Sequence, residues 1–271
     1  MYHSSWLRVS KKDPCRVCEK ADWCTYTEAG AACCMRVESL KPLKNGGWLH
    51  KSNERTAPVY YQKRTQAPTI ESAPDFDNLC KNWSQETSAG QIARLASDLD
   101  VCPMALVNLG CAWARPYKAW AFPMKDPMGK IIGIRLRAWN GQKWAVKGSR
   151  AGLFIPGVLP SNENVLMVVE GPTDCAAALP LGYAAIGRPS CLGCEDEVKK
   201  FMAHRRFSRA LIVTDNDTPG LRGSNKLQLH LNVRSCVWAP PAKDLRQFLS
   251  AGGNRQVVDS LLKDIVWSAP K

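Results

Sequence analysis

The sequence predicts an α/β protein in three parts: an N-terminal zinc ribbon, a mixed α+β basic subdomain, and a C-terminal Rossmann-like βα sheet. Three observations carry this expectation. Two short branched-apolar runs, in VLMVVE at Val165–Glu170 and ALIVTDND at Ala210–Asp217, show no polar alternation and end in carboxylates. Such runs fit strands buried on both faces of a parallel sheet. Each is followed by a turn (Gly171-Pro172, Pro219-Gly220) and then by a segment able to form helix, the rhythm of βα units. Finally, five cysteines crowd into residues 15–34.

Taken in order, Cys15 and Cys18 form a CxxC knuckle, a tight turn that brings two thiolates to one ion. Cys24 follows, and Cys34 or Cys33 closes the tetrahedron. Cys34 is the choice, because it precedes a strand-like exit at Met35–Val37 and an extended chain sends Cys33 to the other face. His3 and His50 are weaker candidates. The segment holds few apolar residues, so zinc, worth roughly 10–16 kcal/mol, would supply its folding energy. Cations and aromatics are interleaved here, and Trp23 and Arg36 are candidate contacts to bases and phosphates. The ribbon is expected to span residues 1–40. Residues 41–74, rich in Pro, Gly and basic charge, read as a tether.

The basic subdomain is expected over residues 75–160. Apolar residues at three- and four-residue steps predict helices over 75–110. Thr87 or Ser88 caps one near Gly90, and Asp100 or Cys102-Pro103 starts another. Lys118–Val146 reads as antiparallel strands with turns at Lys125–Gly129 and Asn140-Gly141. Arg135, Arg137, Lys143, Lys147 and Arg150 are its candidate contacts to nucleic acid and nucleotide. No GxxxxGK[ST] occurs, so the sequence carries no P-loop ATPase.

The βα region is expected over residues 161–271. Strands are predicted at Val165–Glu170, Ala184–Ile186, Ala210–Thr214 and Ser235–Trp238. Helices are predicted at Asp174–Leu181, Glu195–Arg205, Gly220–Leu231, from Asp244, and over Asn254–Val266. Ligands of such sheets sit beyond the carboxyl ends of the strands. Glu170, Asp215, Asp217 and Asp244 stand at those ends. Asp215 and Asp217, two apart in extended chain, share a side. Carboxylates so close stay ionised only around a cation, and hard oxygen ligands favour Mg²⁺ or Mn²⁺. That set suits phosphoryl chemistry, with Glu170 as ligand or general base. Asp174 lies inside a helix start and is as readily a cap as a ligand. A second CxxC, Cys191–Cys194, has no further pair nearby and is expected to pack rather than to bind or react.

The formal net charge of +13 and pI of about 9.3 point to an anionic polymer as partner. No apolar run is long enough to span a membrane, and residues 1–15 lack the apolar core of a secretory signal. A cytoplasmic, reducing setting is therefore expected. There the twelve cysteines serve as ligands or small hydrophobes rather than disulfides.

EGPTD at Glu170–Asp174 followed by TDNDTPG at Thr214–Gly220 resembles the Toprim domain of primases, topoisomerases and related nucleases. Glu170 matches its motif glutamate, Asp215 and Asp217 its DxD pair. Lys243-Asp244 is similar to the further acid of primases. CxxC…C…CC resembles the primase zinc-binding domain, although many such ribbons end in a second CxxC that is missing here. GKIIGIRLR…KWAVKGSRAGLF looks like the basic half of the primase RNA polymerase domain. The likeness is to bacterial and phage-type primases, including the primase part of phage primase-helicases. It implies RNA primer synthesis on single-stranded DNA from NTPs, with a structural Zn²⁺, two catalytic Mg²⁺ or Mn²⁺ ions and a separate replicative helicase. A Toprim nuclease and a non-catalytic nucleic-acid-binding protein are the alternatives.

Overall fold

The N-terminal strands are as short as their sparse apolar content allows. A computed structural model describes residues 6–43, 47–51, 74–160, 164–264 and 267–269, and the chain divides into two units, Met1–Thr69 and Ile70–Lys271. The first unit holds an antiparallel sheet ordered β1 (Leu7–Arg8), β2 (Thr25–Tyr26), β3 (Ala32–Cys34) and β4 (Trp48–His50). Its buried cluster consists of Val9, Cys15, Cys24 and Cys34, with Val17, Cys18, Tyr26 and Met35 packed against it. One aliphatic side chain among thiols is too little apolar area to hold a fold by burial. The sheet draws β4 from the stretch expected to be tether, because Cys33 and Cys34 pair with Leu49 and Trp48. Most of the expected tether, residues 52–73, lies outside the described residues, as does His3.

The second unit opens with three helices, α1 (Phe76–Glu86), α2 (Ala89–Leu99) and α3 (Pro103–Asn108). Ser88 caps α2 in a capping box with Gln91. Thr87 instead spends its hydroxyl on the carbonyl of Trp83 and the N–H of Trp113. Asp100 ends α2 in the left-handed conformation, so α3 opens at Cys102-Pro103. A meander follows: β5 (Ala112–Ala114), β6 (Ala119–Lys125), β7 (Ile131–Arg137) and β8 (Lys143–Ala145). Strand β5 lies outside the span expected to be extended. Its AWA is too short to show a period, and it is extended because it pairs with Ala119–Ala121. One meander face (Ala112, Ala114, Ala119, Ala121, Ile134, Leu136) packs with Phe76 and Trp83 of α1.

The C-terminal part is a parallel sheet ordered β10 (Ala184–Arg188), β9 (Val165–Glu170), β11 (Arg209–Val213), β12 (Arg234–Trp238). Between the strands run α4 (Gly171–Ala178), α5 (Glu195–Arg205) and α6 (Thr218–His230), followed by α7 (Leu245–Ser250) and α8 (Arg255–Asp264). Met167, Val169, Leu211, Val213, Cys236 and Trp238 enter one core with residues of α2, α3, α4, α7 and α8. Leu166, Val168, Ala210 and Ile212 enter another with residues of α5 and α6. Helices on both faces explain why the strands show no polar alternation. Helix α4 begins at Gly171, three residues before the predicted start, because Pro172 serves in its first turn.

The strand order reverses between β9 and β11, so the crevice for a ligand falls at their carboxyl ends. The two sheets of this unit are joined through Leu153 and Phe154. Leu153 exchanges backbone hydrogen bonds with Lys125 at 2.7 and 2.8 Å, and Phe154 with Gly187 at 2.8 and 3.0 Å. The meander is thereby fixed beside the ends of β9 and β10. No described helix is long and apolar enough to cross a membrane.

Candidate active site

Glu170 ends β9, and its Oε1 lies 3.5 Å from the hydroxyl of the buried Thr214. Asp215 and Asp217 follow β11. The loop that carries them is tied to the β12 loop by the N–H of Asn216, which donates to the Lys243 carbonyl at 2.8 Å. Asp217 caps α6, accepting from the Gly220 N–H at 2.7 Å. Asp244 caps α7, accepting from Gln247 at 2.8 Å. The cap bond of Asp217 uses one oxygen and leaves the other for a ligand, whereas the second oxygen of Asp244 faces Arg246 at 3.8 Å.

Asp174 was the acid that the local sequence signal undervalued. It makes no cap on α4; it is buried, and its Oδ1 has no hydrogen-bond partner. Burial pushes its pKa up to about 7, reinforced by Asp244 and Asp215 and opposed by Arg246. Asp215 is raised by burial and by Asp244 and Asp217, and Glu170 by burial and Asp215. These carboxyls sense one another, yet among the described residues no three of them bring ligand oxygens within 4.8 Å. An orphaned buried oxygen and acceptor-only, mutually repelling neighbours are the donor set a hard cation completes.

The facing wall is cationic. Arg137 pairs with Lys143 across β7 and β8, and Arg135 stands two residues away on the same face. Burial lowers the pKa of Lys143, with Arg137 adding to the effect and Asp174 and Asp215 opposing it. Burial likewise lowers that of Arg137, aided by Arg246 and opposed by Asp98 and Asp174. Arg135 donates to the Pro189 carbonyl at 3.4 Å, just past β10. Arg137 and Lys143 thus stand within electrostatic range of Asp174, and Lys143 of Asp215 as well. Lys147 and Arg150 are exposed on the strap after β8. Arg188 and Arg246 escaped the sequence reading. Arg188 is registered beside Glu170 and buried, and Arg246 lies against Asp244 at 3.8 Å. Neither belongs to a motif, so their place follows from strand register and the β12 loop.

In the N-terminal unit, the sulfurs of Cys15, Cys18, Cys24 and Cys34 all lie within 4.8 Å of one another. The Cys18–Cys24 and Cys24–Cys34 separations are 3.7 and 4.0 Å. A tetrahedron with bonds of about 2.3 Å has edges of about 3.8 Å, so the group could hold zinc. Backbone N–H groups of Met35, Arg36 and Val37 donate to the Cys24 and Cys34 sulfurs at 3.2–3.4 Å. Residues 35–37 bend around the sulfurs to do so, where a strand-like exit was expected. Burial pushes the Cys34 thiol up to about 12, so a thiolate there needs a cation. Cys33, on the opposite side of β3, is buried outside this group, and the imidazole of His50 bonds the Val37 carbonyl. Arg36 grips Asp22 at 2.7 Å and stacks on Trp23, whose ring is 79 % exposed. The Cys191–Cys194 loop packs against α6, and burial pushes the Cys194 thiol up to about 11, away from the reactive thiolate.

Among solved structures, the chain is similar to the Aquifex aeolicus primase comprising zinc-binding and RNA polymerase domains, with a TM-score of 0.58 at 14% identity over 71% of this chain and 60% of that one. It is similar to the E. coli primase catalytic core, with a TM-score of 0.53 at 14% identity over 70% and 79%. A DnaG primase catalytic domain bound to ssDNA matches with a TM-score of 0.53 at 14% identity over 70% and 77%. The shared property is the fold. No family model and no curated protein matches the sequence.

Proposed function

We propose that this chain is a DNA primase, making short RNA primers on single-stranded DNA by divalent-metal-dependent nucleotidyl transfer. The observation that carries the reading is that two cations of the meander, Arg137 and Lys143, stand within electrostatic range of Asp174, and Lys143 also of Asp215. Glu170, Asp174, Asp215, Asp217 and Asp244 would hold two Mg²⁺ or Mn²⁺ ions. When bound, such ions neutralise phosphate charge and lower the pKa of the attacking hydroxyl. Arg135, Arg137 and Lys143, with Lys147 and Arg150 further out, bind template and NTP phosphates. The primer 3′-hydroxyl oxygen bonds to the NTP α-phosphorus, the bond to the bridging oxygen breaks, and pyrophosphate leaves. Zn²⁺ on Cys15, Cys18, Cys24 and Cys34 keeps the ribbon folded, and Trp23 and Arg36 contact the template there. A separate replicative helicase is the expected partner, in the cytoplasm of a bacterium or a phage-infected host.

The test is incubation with single-stranded DNA, labelled NTPs and Mg²⁺ or Mn²⁺. Short labelled RNA supports the reading. Shortened DNA without RNA would replace it with nuclease chemistry, and binding without either product with a recruitment role.

A further inference from the structure

Trp113, Trp120, Arg137 and Lys143 stand directly opposite one another on successive strands, so they form one row across a single face of the meander. Trp139, in the β7–β8 hairpin turn, folds back over this row. Its ring centroid lies 5.7 Å from that of Trp120 and 6.2 Å from that of Trp113, which are themselves 5.2 Å apart. Trp120 is fully buried and forms the floor, while Trp139 remains 42 % exposed. The guanidinium of the exposed Arg94, on α2, lies 5.1 Å from the Trp139 centroid. An indole held from below by two others, with a cation on it and cations beside it, is a flat π-surface at the end of a phosphate-binding row.

We infer that Trp139 with Arg94 is a stacking platform for a nucleobase of the single strand whose phosphates lie along Arg135, Arg137 and Lys143. The inference rests on the nucleic-acid reading above. Positive charge complements the polyanion, and every base offers a π-face to an indole or a guanidinium, so the contact is tolerant of sequence.

The experiment measures affinities of the full chain for a labelled single-stranded DNA and for a strand of equal length made of abasic sites. Trp139→Ala weakens the base-bearing strand about 10- to 100-fold and leaves the abasic strand unchanged. Trp139→Phe, which keeps a ring, retains most of the difference, as thermal unfolding equal to wild type confirms an intact hairpin. Arg137→Gln weakens both strands alike. Should Trp139→Ala weaken both strands equally, or neither, the tryptophan cluster only supports the hairpin and the platform is wrong. A wild type that prefers bases through Trp139 but makes no RNA keeps the platform and discards primer synthesis. A wild type that binds neither strand discards both.

Discussion

Asp215 and Asp174 show how environment separates two acids of one cluster. Asp215 is half-buried, and the nearby charges of Asp244 and Asp217 add to burial in raising its pKa. Asp215→Ala should abolish primer synthesis while leaving the fold and most DNA affinity intact; primer yield and strand binding on the same preparation check this. For Asp174, burial raises the folded pKa to about 7 from the ordinary carboxylate value of 3.8. The folded state then holds a proton that the unfolded chain releases. Stability from this group is present below about pH 4 and is lost as pH rises through about 7. In chelator, thermal melts of the wild type should fall across that window, and Asp174→Asn should flatten the fall. A residue that merely capped α4 would show neither effect. The reading of Asp174 as a cap failed because first-turn position is legible in sequence, whereas burial beneath Arg246 and α7 is not.

Among elements, the ribbon and α6 make opposite demands on a small substitution. Cys33 and Cys34 are chain neighbours on opposite sides of β3, and only Cys34 joins the sulfur group. Cys34→Ser should lose bound zinc, while Cys33→Ser keeps it; metal content of the purified variants decides. Gly223 lies inside α6, where alanine would ordinarily stabilise a helix by about 1 kcal/mol. A Cβ there would stand 2.1 Å from the Cys191 carbonyl oxygen, against backbone that cannot swing away. Overpacking of that kind costs about 1–3 kcal/mol, so Gly223→Ala should be net destabilising in urea unfolding. The strand ends, βα rhythm and capping box were legible because each is a local rule. Strand β5 and the β4 contribution to the ribbon were not, because three-residue strands are set by their partners.

At the scale of the molecule, charge does what no single motif does. The formal net charge is +13, and Lys143 of the meander stands within electrostatic range of Asp174 and Asp215. Affinity for single-stranded DNA should fall steeply with salt, since each phosphate contact releases counterions. Removing one of Arg135, Arg137 or Lys143 should lower the slope of log affinity against log salt by about 0.7. Titrations at several salt concentrations measure it. A slope unchanged by all three substitutions would move the nucleic-acid path away from the meander.

Sequence alone determined the kinds of chemistry present: thiols at zinc spacing, acids ending buried strands, and arginines alternating along β7. Those follow from periodicity and side-chain type, which are properties of neighbouring residues. Only the tertiary structure decided which of them meet. The change of strand order at β9 and β11, the Leu153–Phe154 link between sheets and the burial of Asp174 bring Arg137 and Lys143 into the field of Asp174, and Lys143 into that of Asp215. Such proximity depends on long-range pairing and packing, which no local pattern encodes.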